Sequence, residues 1–235
     1  EILQVILNNK KLVVLSTNSQ FSTKNLQGRS CMLDAKCQLE DGRIVNIEVQ
    51  RADDDDHQRR VRYNGALLTT NLTNPSTKFA EIPDVIVVFI SKFDVFKSSK
   101  TLYHIDRVIR ETGKAVDNGF KEVYVNAEID DDSDVARLMN VFNTDTAYDD
   151  ENFPVTSAYK RRYKTTEEGV REMCEVIERN RAEGRAEGRA IGLIEGRAEL
   201  ITNMLKNQMK PEQIAQIANM TVEQIISIGK KAAVL

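Results

Sequence analysis

Two carboxylates and one amide occupy positions that paired β-strands would bring together. Asp34 lies in residues 29–40 and Glu48 and Gln50 lie in residues 43–51, and both segments alternate between apolar and polar side chains. Such alternation predicts half-buried strands. On the first strand, one face is predicted to carry Cys31, Leu33, Ala35, Cys37 and Leu39, with Asp34 on the other.

An Asp-Gly pair at residues 41–42 separates the two strands. This pair favours a tight hairpin turn, because glycine readily adopts the positive φ that such turns need. Leu39 then pairs with Arg43, and the same register sets Asp34 directly opposite Glu48. Directly opposed side chains lie about 5 Å apart at Cβ, so we expect the two carboxylates to repel each other unless a cation lies between them.

Hard divalent cations prefer oxygen ligands, and Mg²⁺ is the natural candidate for a site formed by Asp34 and Glu48. Gln50 is predicted on the same face as Glu48, where its amide can both donate and accept hydrogen bonds. The spacing alone also fits a simpler interpretation, in which the hairpin has a solvated face that carries two ordinary acids.

The elements around this hairpin are predicted from hydrophobic periodicity and turn residues. The chain begins with a helix, three strands, a helix and a strand, over residues 1–8, 11–16, 29–40, 43–51, 56–74 and 84–91. The last of these strands does not alternate, which is typical of a strand buried on both faces. A further strand pair over residues 102–109 and 122–128 adds a β-hairpin to this α/β core.

From Ser133 the pattern is helical, and residues 181–200 repeat the motif RAEG. Drawn as a helix, the repeat aligns its glycines in one row, which favours close approach by another helix. The alternative is a flexible linker, because each glycine weakens a helix. Two short helices follow at Pro211–Ala218 and Val222–Lys231, and they resemble a helix-turn-helix. We therefore divide the chain into a core at 1–130, a helical subdomain at 131–180, a repeat helix at 181–208 and a C-terminal module at 209–235.

A homodimer or higher homo-oligomer is predicted to form through residues 165–235. The glycine row costs helix stability unless a partner packs against it. The terminal helix pair is also too small to bury its own apolar face, which carries Ile214, Ile217, Ile225 and Ile226.

Composition excludes several other classes of protein. The 235 residues include three cysteines and two histidines, with no CxxC pair, which excludes a zinc site of the usual spacing and disfavours a disulfide scaffold. No apolar run approaches the roughly 20 residues of a membrane span, and no secretory leader is visible, so we expect a cytoplasmic protein of bacterial type without membrane association. The net charge of −3 combines −6 over residues 1–155 with +3 over residues 156–235. The acidic N-terminal part fits either a metal-binding enzyme or an ordinary acidic surface.

The order of elements, with Asp34 followed by Glu48-Val49-Gln50, resembles the PD-(D/E)XK nuclease fold. Several stretches resemble the PD-(D/E)XK nuclease family transposases more specifically, a group also described as recombination-promoting nucleases or putative transposases. These stretches are GRSCMLDAKCQLEDGRIVNIEVQRADD, YHIDRVIRETG, EVYVNA, RLMNVF and YKTTEEGVREM. The resemblance covers most of the chain, and its most specific motifs lie within residues 28–72.

This resemblance implies a Mg²⁺-dependent DNA endonuclease related to recombination or mobile elements, in which Mn²⁺ can substitute. Asp34 and Glu48 would be metal ligands, with the backbone carbonyl of Val49 as a third. Gln50 takes the place of the lysine found in the wider superfamily, so it offers a dipole where the lysine offers a charge. Glu1 is a further candidate ligand, because many such nucleases carry an acid on the first helix.

Arg59 and Tyr63 lie one turn apart on the predicted helix and are candidates to bind the scissile phosphate. They fit equally well as a surface arginine and a half-buried tyrosine. The acidic run at residues 53–56 is interpreted as a solvated turn and helix cap. Because Gln50 lacks the superfamily's charge, the alternative function is a catalytically weak or inactive nuclease-fold protein that acts as a DNA- or protein-binding regulatory module.

Overall fold

The computed structural model describes residues 1–23, 31–54 and 56–232. Two parts of the sequence predictions lie outside the described residues. They are the start of the predicted strand and motif at residues 28–30, and one acid of the run at 53–56.

In chain order, the N-terminal part contains α1 (Ile2–Ile6), β1 (Val14–Thr23), β2 (Cys31–Leu39), β3 (Ile44–Gln50), α2 (His57–Leu72), a 3₁₀ turn (Phe79–Glu81) and β4 (Val85–Ser91). It continues with β5 (Leu102–Ile105), β6 (Arg107–Val108), β7 (Ala115–Val116), β8 (Phe120–Asn126), α3 (Asp134–Asn143) and α4 (Pro154–Thr165). The C-terminal helices are α5 (Glu167–Lys206), α6 (Pro211–Ala218) and α7 (Val222–Lys231).

Among the described residues, six strands form one mixed sheet in the order β1-β2-β3-β4-β8-β5. The first three strands are antiparallel neighbours, whereas β3, β4 and β8 run parallel, and β5 pairs antiparallel with β8. A small antiparallel pair, β6 and β7, lies apart from this sheet. The predicted α/β class, the helix–strand–strand–strand–helix–strand order and the added hairpin are all confirmed.

The sheet is covered on both faces. Leu3 and Ile6 of α1 and Leu138 of α3 share one core cluster, and Val61 and Leu68 of α2 belong to the other. Because β4 lies between the two clusters, its first five residues are all at most 3% exposed, which confirms the prediction from its unbroken apolar run.

Strand β1 is longer than predicted and is displaced along the chain. The sequence indicated a strand at residues 11–16, but β1 spans Val14–Thr23 and includes a polar stretch over residues 16–20. This strand forms the edge of the sheet and most of it is exposed, so its sequence lacks the apolar signal that marks a buried strand.

Helix α2 packs very closely on the sheet at Gly65. A Cβ atom added to this residue would lie 2.3 Å from the ring of Phe120 on β8, so any larger residue would displace that ring. The close approach fixes the face that α2 presents to the sheet and therefore which of its polar side chains reach β3.

The described chain divides into two compact units, residues 1–160 and residues 161–235, which differ from the four predicted segments. Helix α3 belongs with the core because it packs against α1. The predicted boundary at residues 180–181 falls inside the continuous helix α5.

In the second unit, the end of α5 packs with the terminal helix pair, so the apolar face of that pair is partly covered within the chain. Ile214 and Ile225 are buried against Ile201, contrary to the prediction that this face lacks a cover. Ile217 remains 61% exposed. No helix within the described residues combines the length and the apolar character needed to cross a membrane.

Candidate active site

The hairpin between β2 and β3 has the predicted turn and register. Gly42 adopts a φ of +87°, and the amide of Leu39 donates to the carbonyl of Arg43 over 2.9 Å. The ladder continues to the pair Ala35–Ile47, so Asp34 and Glu48 are the next residues in this register.

The two strands separate just after the Ala35–Ile47 pair. The odd-numbered residues of β3 direct their backbone N–H and C=O groups toward β2. At Val49, however, no residue of β2 pairs with these groups, because the ladder ends at Ile47. The carboxylate of Asp34 fills this position, and its Oδ2 accepts the Val49 N–H over 2.7 Å. The Val49 carbonyl points to the same side of the strand, as its predicted role as a ligand requires.

The separation also corrects the predicted faces of β2. Cys37 and Leu39 pack in the cluster with α1, but Leu33 packs in the cluster with α2. On the N-terminal side of Ala35, β2 pairs only with β1. Two-stranded ribbons of this kind twist more strongly than wider sheets. Leu33 lies on the opposite side of the sheet from Cys37, and Asp34 lies where β2 and β3 separate.

Glu48 is a buried carboxylate, with only 1% of the residue exposed. Its Oε1 accepts a hydrogen bond from Asn46 Nδ2 over 2.8 Å, whereas Oε2 has no hydrogen-bond donor among the described residues. The pKa of Glu48 is raised to about 7, mainly because burial disfavours the charged form. The negative charge of Asp34 adds to the rise, and contacts with Asn46, Arg60 and Asn64 oppose it.

Arg60 of α2 approaches both Glu48 and Gln50. Its Nη2 lies 3.7 Å from Glu48 Oε2, and its Nη1 donates to Gln50 Oε1 over 3.3 Å. The Gln50 amide nitrogen donates to the carbonyl of Ala52 and to Asp54 Oδ1. The side chain of Gln50 is therefore held between a cation and the loop that follows β3.

The sequence pointed to Arg59, but the structure places Arg60 beside Glu48. Arg59 has a side chain that is 78% exposed and forms an ion pair with Asp56, while Tyr63 is partly buried on α2. Arg60 precedes the buried Asn64 by one helical turn. Arg60 and Asn64 therefore lie next to each other at the polar edge of the buried face of α2. This i, i+4 spacing is the feature of the sequence that could have identified Arg60.

Asp56 caps α2, as predicted for the acidic run, because its carboxylate accepts the N–H of Arg59. Glu1 occupies a different place from the predicted metal ligand. Its carboxylate accepts the backbone N–H groups of Val155 and Thr156 and the Thr156 hydroxyl at the start of α4. Burial raises the pKa of Glu1, but these hydrogen bonds outweigh it and lower the pKa overall. Unpaired N–H groups at a helix start attract carboxylates, so the structure uses Glu1 as a cap.

A family model for the PD-(D/E)XK nuclease family transposases matches residues 1–134. The chain belongs to this family. The matched range contains the whole sheet, helix α2 and the residues around Glu48. No curated protein and no solved structure matches the chain.

Membership of this nuclease transposase family supports a nuclease-type function associated with mobile elements, and with it DNA binding. Nucleases of this kind typically use divalent metals. In the described ranges, no three side chains of His, Cys, Asp or Glu group closely enough to hold a metal ion. A cation at Asp34 and Glu48 would therefore complete its shell with the Val49 carbonyl and water, which Mg²⁺ commonly retains.

The chemistry of this donor set fits a hard divalent cation. Glu48 presents a buried acceptor atom, Oε2, that lacks a hydrogen-bond donor in the described part of the chain, and Asp34 adds a second carboxylate from the facing strand. Buried acceptors are normally satisfied, and Arg60 Nη2, at 3.7 Å, is beyond hydrogen-bond distance of Oε2, so this atom can accept an ion or water.

Proposed function

We propose that this protein is a divalent-metal-dependent DNA endonuclease, with Mg²⁺ as the cofactor and Mn²⁺ as a substitute. The observation that carries the proposal is that Asp34 and Glu48 follow directly on the last pair of the β2–β3 ladder, where Asp34 Oδ2 accepts the Val49 N–H. Asp34, Glu48 and the Val49 carbonyl would hold the cation, and Gln50 would act beside them.

The electrostatics of the pair favour a cation. A buried carboxylate next to another carboxylate is disfavoured in its charged form, which is why the pKa of Glu48 rises to about 7. When bound, a divalent cation lowers the pKa of water and stabilises negative charge on a phosphate oxygen. The same cation would offset the repulsion between Asp34 and Glu48.

Arg60 supplies the fixed positive charge that Gln50 lacks. Its guanidinium lies within contact of Gln50 Oε1 and Glu48 Oε2, so it holds the amide of Gln50 in one orientation. We infer that Gln50 orients the attacking water, and that Arg60 offers the positive charge that a lysine supplies in the wider superfamily. Arg59 and Tyr63 remain predicted phosphate ligands, and because Arg59 is mostly exposed it would reach DNA from the outer side of α2.

The test is Mg²⁺-dependent nicking of a supercoiled plasmid by the wild-type protein and the Asp34→Asn variant. Asparagine keeps an oxygen that accepts the Val49 N–H but loses the charge, so we expect the fold to persist and nicking to be lost. Asp41→Asn, an exposed acid in the turn of the same hairpin, is the matched control and should retain activity. Arg60→Ala is expected to lower the rate about 100-fold, and Arg60→Lys to recover part of it.

The alternative function is a nuclease-fold protein that binds DNA or another protein without cutting. A wild-type protein that binds DNA but shows no Mg²⁺- or Mn²⁺-dependent nicking would overturn the endonuclease proposal in favour of this alternative. Equal nicking by wild type and Asp34→Asn would show that the activity does not arise at this site.

A further inference from the structure

A cavity of about 330 Å³ opens at the carboxyl-terminal edge of the parallel strands, next to the candidate active site. Its wall includes Val49 from β3, Ser91 from β4 and Ala127, which follows β8. In open α/β sheets, ligands bind outside the carboxyl ends of parallel strands. The cavity lies on the face of the sheet that α1 and α3 cover, whereas Glu48 faces α2. Val49 and Gln50 line the cavity at the end of β3, so a ligand that reaches both places passes around this end of the strand.

Most of the cavity wall is apolar, and part of that apolar surface faces solvent. Val49 is 56% exposed and Phe142 on α3 is 50% exposed, although both lie beside a well-packed core. The other apolar side chains of the lining include Ile90 and Met139. The volume is at the lower end of the roughly 300–1,000 Å³ found for small-molecule pockets, which suits one planar ring system better than a larger ligand.

The charged residues that line the cavity are cationic. Arg51 and Lys92 contribute to the wall and are exposed, and neither side chain has an ion-pair partner in the part of the chain that the structure describes. Among the described residues that line the cavity, none is Asp or Glu. An apolar pocket with two unpaired cations complements a ligand that joins a flat apolar group to anionic groups.

We propose that this cavity binds one nucleobase of a DNA strand whose backbone passes around the end of β3 to reach Asp34 and Glu48. The base stacks on the ring of Phe142 and packs against Val49, while Arg51 and Lys92 bind the phosphates on either side of it. Every base has a π-face, so the cavity gives affinity with little sequence preference. This inference rests on the proposed function to the extent that DNA is the ligand of the Asp34 and Glu48 site.

The test measures binding of the full chain, in EDTA to prevent cleavage, to two fluorescently labelled 16-mers of equal charge. One is oligo(dT) and the other is an abasic strand with the same backbone. Wild type is expected to prefer oligo(dT), and Phe142→Ala to reduce that preference about tenfold, the size of effect found when a base loses its aromatic partner. Phe142→Trp should retain the preference.

Phe79→Ala is the matched control, because Phe79 is an exposed phenylalanine that precedes β4 at the opposite edge of the sheet. It should leave the preference unchanged. Arg51→Gln and Lys92→Gln should each reduce the slope of log affinity against log salt concentration by about 0.7, the value for one phosphate contact on a single strand. Phe142→Ala should leave that slope unchanged.

An unchanged oligo(dT) preference in a folded Phe142→Ala variant would overturn the cavity assignment, even if the protein nicks DNA. The expected loss of preference in a protein that never nicks DNA would support the cavity and overturn the endonuclease proposal. Absence of binding to either strand would overturn the cavity assignment, whereas plasmid nicking alone decides the endonuclease proposal. Melting curves for the Ala and Trp variants establish that each is folded.

Discussion

Replacing Glu48 with glutamine is expected to stabilise the metal-free protein above neutral pH and to leave its stability near pH 4 unchanged. Glutamine keeps the volume of this buried side chain and an oxygen that can accept the hydrogen bond from Asn46. It removes only the buried charge. Alanine is less informative at this position, because it would also leave a cavity in the packed interior.

The magnitude follows from the pKa of Glu48, which is about 7 in the folded protein against an ordinary value of 4.5. Between these two pH values the folded state holds a proton that the unfolded state has released. The free energy of unfolding therefore falls as pH rises through this window, and it stays low above pH 7. At about 1.4 kcal/mol per pKa unit, the buried charge costs the wild-type protein about 3 kcal/mol at pH 8.

Urea denaturation in EDTA at pH values from 4 to 8.5 measures this effect as the difference between Glu48→Gln and wild type. The difference should grow from zero to about 3 kcal/mol, which corresponds to about 6–12 °C in melting temperature for a chain of this size. Glu81→Gln removes an exposed carboxylate and serves as the control for loss of one negative charge. Adding Mg²⁺ at pH 8 should stabilise wild type but not Glu48→Gln.

A difference that does not vary with pH would show that Glu48 affects stability through packing and not through its charge. A variant that is less stable than wild type at pH 8 would refute the inference that the metal-free site stores repulsion between Asp34 and Glu48. Equal stabilisation of both proteins by Mg²⁺ would place the cation elsewhere.

Two further predictions concern the superfamily lysine position and the C-terminal helices. Gln50→Lys is expected to retain or raise the nicking rate at saturating Mg²⁺, because it adds a charge near the proposed water; a folded but inactive variant would give the glutamine amide a specific role. The full chain is expected to form a dimer or higher oligomer at micromolar concentration in light scattering. Leu193 is 74% exposed. Apart from chain neighbours and the helix's own backbone, no atom of the described residues lies within 4 Å of a Cβ built at Gly192 or Gly196. Leu193→Glu should therefore produce monomers, while Phe79→Glu should not. A monomeric wild-type chain would contradict this prediction.

Features that depend on neighbouring residues were predictable from the sequence. The alternation in β2 and β3 and the Asp-Gly turn specified the hairpin and its register, which the structure confirms. The bounds of α6 and α7 are also as predicted, because Pro211 occupies the first helical turn and Thr221 accepts the N–H of Gln224 as an N-cap. Each of these signals acts over a few residues, so no distant contact is needed to read it.

Features that depend on distant residues were decided only by the tertiary structure. Successive helical residues differ by about 100° in direction, so the choice between Arg59 and Arg60 depends on how Gly65 seats α2 on the sheet. Glu1 caps a helix that begins more than 150 residues later in the chain. The burial of Glu48, and with it the raised pKa, arises because β3 is central in the sheet and is covered by α2. Residue spacing identifies which carboxylates are adjacent, but the packing around them determines their charge state and their partners.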